Sequence, residues 1–241
     1  MRLTLLILAC LNLPQGLADE AKTLRIGVAD SWSMPFYQQF EGQDAEGIVA
    51  ELDLQLGKQL QRPVELILTP RNRMPIRLLS GQVDVICYQS PAWFGADAEK
   101  FAWSVPLINQ RDVIASTVQL NSQRPIPQGT RLGAVLGYAY PALTSAFAQG
   151  QWIRDDARRQ ELTLRKLIVG RYDYALSNEL SLAWVNRAQP AGKKLRVIEY
   201  LPAAQVGCMV DPKGPDSQQI LQALEEIKSS GRIDEILSHY R

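Results

Sequence analysis

Short apolar runs closed by glycine or proline alternate along this chain with stretches of helical spacing. Leu24–Ala29 alternates and ends in a small residue, which predicts a first strand. Ile48, Leu52, Leu56 and Leu60 recur every four positions within Gly47–Leu60, one face of an amphipathic helix. Val64–Leu68 reads as a second strand, and Met74–Ser80 has helical spacing that stops at Gly81, the residue type favoured just past a helix end. Val83-Asp84-Val85-Ile86-Cys87 is β-branched and apolar, so it predicts a buried strand of a parallel sheet. The phrase returns in Val169-Gly170-Arg171-Tyr172-Asp173-Tyr174-Ala175-Leu176, again helix end, glycine, aspartate, strand. Two copies of one unit predict two similar lobes.

Between and after these units the pattern crosses twice. Arg111–Val118 predicts a strand leaving the first lobe, Asn121–Gly129 a proline-rich surface link, and Leu132–Leu136 the first strand of the second lobe. Arg158–Val169 reads as a helix whose solvated start includes Asp155 and Asp156, and Leu180–Ala188 as another. Leu195–Tyr200 predicts the last strand of that lobe, Ala204–Val210 a return crossing, and Ser217–Ile227 and Arg232–Tyr240 two terminal helices.

Composition narrows the function classes. Met1-Arg2 followed by the apolar Leu3–Leu13 and the small residues Gly16-Leu17-Ala18 predicts a cleavable secretory signal over residues 1–18, hence a periplasmic location. The apolar run is too short to span a bilayer, and no second run approaches the roughly 20 residues required. Of 26 basic residues one, Arg2, leaves with the signal, matching the 25 acidic ones. A neutral chain argues against nucleic acid and anionic membranes as partners. Cys87 and Cys208 stay in an oxidising compartment, either bonded to each other or as two buried thiols. The one histidine, His239, cannot furnish a triad or a zinc set, and no phosphate-binding glycine motif follows the first strand. No cofactor, no metal and no enzymatic activity are therefore expected.

Several phrases in order carry a family likeness: Ile26-Gly27-Val28, Pro35-Phe36, Glu46-Gly47-Ile48-Val49-Ala50-Glu51-Leu52, Leu79-Ser80-Gly81-Gln82-Val83-Asp84-Val85-Ile86, Trp103-Ser104-Val105-Pro106-Leu107 and Ser230-Gly231-Arg232-Ile233-Asp234-Glu235-Ile236-Leu237. Together they resemble the family 3 periplasmic solute-binding proteins, the polar-amino-acid type that feeds ABC importers. The resemblance implies an α/β, type II two-lobe fold with mostly parallel mixed sheets joined by a two-strand hinge. Lobe one would be 19–111 plus 206–241, and lobe two 112–205. It implies a monomer that closes on a small polar solute and delivers it to an ABC permease. A ligand-sensing partner of a membrane receptor is the alternative, and a dehydratase-like enzyme a further one, with Glu179 or Glu46 as its cleft carboxylic acid.

The binding residues are expected at the carboxyl ends of the strands, where two lobes of this kind meet. Lobe one would contribute Trp32, Phe36, Arg73, Tyr88, Ser90 and Trp93, and lobe two Gly137, Tyr138, Tyr140, Asn178 and Glu179. Trp32 and Phe36 could equally cap the core. Arg71 and Arg73 both leave a strand end with a fork suited to a carboxylate, and Arg73 is preferred because some relatives carry an Arg there. The Gly137 turn into a helix offers free N–H groups to an anion. Where amino-acid binders of the family carry a carboxylate-gripping Arg this chain has Trp93, and where they carry an ammonium-binding Asp it has Asn178. Both charged anchors are missing from their usual places.

Overall fold

The computed structural model describes residues 22–117 and 125–240; the signal segment 1–18 and part of the 121–129 link lie outside them. In chain order the elements are β1 (Leu24–Ala29), α1 (Ile48–Leu60), β2 (Val64–Thr69), α2 (Met74–Leu79), β3 (Ile86–Gln89), β4 (Ala102–Trp103) and β5 (Ile108–Ser116). There follow β6 (Thr130–Val135), α3 (Thr144–Ala148), β7 (Trp152–Ala157), α4 (Gln160–Ile168), β8 (Tyr174–Asn178) and α5 (Glu179–Arg187). The chain closes with β9 (Arg196–Val210), α6 (Ser217–Ser229) and α7 (Arg232–Ser238).

The buried apolar residues separate into clusters that follow the two crossings. One cluster joins β1, α1 and β3 to Val206–Val210, α6 and α7. Two others hold only residues between Val113 and Leu201, one on each face of the second lobe's sheet. Strands β1 and β2 run parallel, and Ile26 bridges Val85, which ties them to the first repeat unit. In the second lobe β6 lies parallel to both β7 and β8. The fold is a two-lobe α/β architecture, and β5 and β9, antiparallel to one another, run through both lobes.

The repeated glycine has a common cause. Gly81 and Gly170 both end helices in the left-handed region, at φ 66° and 74°, which costs a glycine no Cβ clash. Each chain reversal then delivers its strand, β3 or β8, with the carboxyl end pointing at the other lobe.

Three sequence expectations change. The strand expected from Val83 begins at Ile86, because Asp84 is engaged with Arg25: its Oδ2 accepts the Arg25 backbone N–H at 2.8 Å and its Oδ1 pairs with Nη2 at 2.7 Å. Asp155 and Asp156 do not start a helix but belong to β7, a sheet edge where charges are tolerated; Lys166 Nζ holds Asp155 at 3.1 Å and Arg154 Nη2 holds Asp156 at 2.9 Å. Leu195–Tyr200 and Ala204–Val210 are one strand rather than two. Pro202 lies inside it because the β5–β9 register slips between Arg111/Ala203 and Val113/Tyr200, so its missing N–H falls where no ladder bond is made. Cys87 and Cys208, both fully buried on paired strands, form a disulfide across a sequence separation of 121.

Candidate ligand site

A small cavity lies between the lobes where β3, β5 and β8 converge. Its walls are Trp32, Phe36, Tyr88, Trp93 and Tyr138, with Arg71, Gln110, Asp112, Gln160, Asn178 and Ser181 as polar groups. It encloses about 30 Å³, room for roughly two waters.

Each wall has a local cause. The Trp32–Phe36 loop is pinned because it caps α1: Ile48 N–H donates to Pro35 O at 2.8 Å and Val49 N–H to Phe36 O at 2.9 Å. Gly47 makes this approach feasible, since at its φ of 115° a Cβ would sit 2.4 Å from Phe36 O. Tyr88 is a non-glycine residue at φ 54°, within an irregularity of the β3–β9 pairing between Ile86 and Gln89. A bulge re-aims the side chain it carries, and here it turns Tyr88 against Phe36, with ring centroids 4.6 Å apart, and edge-on to Trp32 at 6.2 Å.

The floor is a polar network that spans the lobes. Gln110 Oε1 accepts from the Tyr88 hydroxyl at 3.2 Å and, more closely, from Asn178 Nδ2. Asn178 Oδ1 meanwhile accepts the Leu180 N–H at 2.9 Å and so caps α5. Asp112 is the cross-strand partner of Asn178 and sits between the two residues where the β5–β9 register slips. Burial pushes its carboxyl up to about 6, although a hydrogen bond from Gln110 and the nearby Arg71 charge both oppose the rise. Burial likewise raises the Tyr88 and Tyr138 hydroxyls.

Arg71 supplies the positive charge. Its guanidinium stacks 4.5 Å from the Tyr138 ring centroid and 5.3 Å from that of Trp93, and reaches Gln89 Oε1 at 3.5 Å. Among the described residues no carboxylate comes within ion-pair distance of it. A planar guanidinium held between two rings has the fork geometry that pairs with a carboxylate. The buried Ser181 Oγ, also without a partner, lines the same space.

Of the residues expected at the site, Trp32, Phe36, Tyr88, Trp93, Tyr138 and Asn178 meet in this cavity. Arg73 does not: it is exposed and does not line this cavity, whereas Arg71 does. The two flank one 3₁₀ turn, Arg71–Arg73, in which Arg71 shares a face with the buried Met74. Glu179 is exposed at the start of α5, and Glu46 is exposed as well; neither faces the cavity. Ser90 and Tyr140 line an adjoining chamber, and the Tyr140 hydroxyl meets the Val135 N–H at 3.2 Å. Gly137 lies at the cleft mouth beside Asp30, Arg158 and Arg159. Sequence reasoning missed Gln110, Asp112, Gln160 and Ser181. The available signal was the period of two that puts Gln110 and Asp112 on one face of a polar run, Asn109–Asp112, inside a strand that crosses between lobes.

This architecture places the chain in the type II periplasmic-binding-protein fold. No protein-family model matches the sequence, and no curated protein does. Solved structures share the fold over nearly the whole chain. An ancestral arginine-binding protein bound to arginine aligns at TM-score 0.75 and 20% identity, covering 92% of this chain and 99% of its own. A histidine kinase sensor domain similar to periplasmic binding proteins aligns at 0.74 and 18%, covering 92% and 97%. An ancestral amino-acid-binding protein described as a precursor of cyclohexadienyl dehydratase aligns at 0.73 and 16%, covering 90% and 95%.

Proposed function

We propose that this protein binds a small zwitterionic solute in the periplasm by closing two lobes upon it. Residues 19–111 with 206–241 and residues 112–205 would move as rigid units about β5 and β9, a hinge closure. The observation that carries the reading is one cation, Arg71, and one half-buried carboxylate, Asp112, outside ion-pair distance of each other in an aromatic-walled interlobe cavity. Arg71 receives the solute's carboxylate and Asp112 its ammonium. Both charges missing from positions 93 and 178 are thereby restored by neighbours: Arg71 stacks on Trp93 itself, and Asp112 is the strand partner of Asn178. Room for two waters is too little for such a solute, so the lobes must part to admit it.

The solute is then delivered to an ABC permease, the reading that the family resemblance supports; ligand sensing is the alternative, supported by the sensor domain of the same fold. Among the described residues no helix is long and apolar enough to cross a membrane. A thermal-shift screen of amino acids tests the claim. A ligand at 100 times its Kd adds about 2.7 kcal/mol of stability. Arg71→Met is expected to lose the shift and Arg73→Ala to keep it; loss in Arg73→Ala alone would reassign the anchor.

One observation favours a catalytic reading as the runner-up. Asp112 is a cleft carboxyl poised near 6, the range a general acid or base needs. Turnover of any compound in a metabolite screen, abolished in Asp112→Asn, would establish it in place of binding alone.

A further inference from the structure

A chamber of about 390 Å³ adjoins the interlobe cavity, and Trp93 and Asp112 line both. Pro91 and Ala92 of lobe one, Pro141 and Ala142 of lobe two, and Leu201 and Pro202 of the hinge strand line it, and all of these but Leu201 are exposed, so it opens to solvent. Asp112 is the only group among its lining residues that carries a formal charge at neutral pH. We propose that this chamber receives a bulky apolar side chain of the same zwitterionic solute, so that the protein selects large aromatic or branched amino acids over small or charged ones. The inference rests on the zwitterion reading above and deepens it.

The reason for the chamber lies in the hinge. Asp112 and the Leu201-Pro202 step sit where the β5–β9 ladder slips by a residue, so Leu201 and Pro202 have no ladder partner and border the open space beside Asp112. An ammonium drawn to Asp112 therefore stands at the throat between the two spaces. Its carboxylate points towards Arg71, where the smaller space is already bounded by Trp93 and Tyr138. The substituent on the same carbon has the apolar chamber as its open direction. A charged side chain would find no charged partner there but Asp112, which the ammonium already occupies, and would gain nothing from the apolar lining.

Titration calorimetry with alanine, leucine and phenylalanine on the mature protein tests the proposal. Each buried methylene is worth roughly a fourfold gain in affinity, so phenylalanine should bind at least about tenfold tighter than alanine. Ala142→Trp fills the chamber from a solvent-exposed position and should collapse the phenylalanine-to-alanine affinity ratio by about tenfold. Ala92→Trp, exposed on the opposite wall, carries the same expectation should the first variant not fold. Alanine bound as tightly as phenylalanine, or a ratio untouched by a folded variant, overturns the chamber and leaves the zwitterion site standing. Binding of none of the three overturns both.

Discussion

Asp112→Asn separates the stability of this protein from its proposed function more sharply than any other change. In the folded protein the carboxyl titrates at about 6 instead of the ordinary 3.8, and burial is the principal cause. Below 3.8 both the folded and the unfolded chain hold this proton. Between 3.8 and 6 only the folded chain holds it, so stability falls as pH rises through that window. Above 6 the loss is complete and amounts to about 3 kcal/mol, the free energy of moving a carboxyl by that much. Asparagine keeps the shape and has nothing to ionise. Urea unfolding at pH 4 and pH 8 should therefore show the variant gaining up to about 3 kcal/mol on the wild type between the two pH values, other titrations cancelling in the difference. Calorimetry at pH 8 should show the opposite for the ligand: with the ammonium's partner gone, affinity falls by about two orders of magnitude, on the order of 3 kcal/mol. A protein more stable and less competent is the mark of a binding charge buried at a cost to the fold. A stability difference that does not change with pH, or unimpaired amino-acid binding in the variant, would refute the assignment of Asp112.

Two further outcomes follow from the same geometry. Reducing the Cys87–Cys208 disulfide opens a loop spanning a sequence separation of 121, which by chain entropy is worth about 5 kcal/mol; urea unfolding with and without reductant should show most of this, and a loss below about 1 kcal/mol would mean that the unfolded chain is not loosened by reduction. Asn178→Asp puts a second carboxylate opposite Asp112 and removes the donor to Gln110 Oε1, so the variant should lose about 2 kcal/mol or more at pH 8 and recover part of it at pH 5, as read by thermal unfolding.

Local pattern and tertiary placement divided the work between them. The helix from Ile48 to Leu60, the strand Leu24–Ala29 and the glycine-punctuated repeat were legible from the residues, because a period of four, an alternation and a left-handed stop are properties of adjacent positions. The aromatic wall was largely legible too, since strand ends and the loops after them are where such a fold presents its side chains. Whether Cys87 and Cys208 were bonded was not, because their meeting depends on β9 returning beside β3 after the whole second lobe. Nor was the choice of Arg71 over Arg73: two residues of one short turn differ only in which face looks inward, and the packing of Met74 decides that. Asp112 was hidden for the same reason. In sequence it is one acid in a crossing strand, and its raised proton affinity exists only because the fold packs the slipped β5–β9 ladder and the interlobe cavity around it and takes it largely out of water.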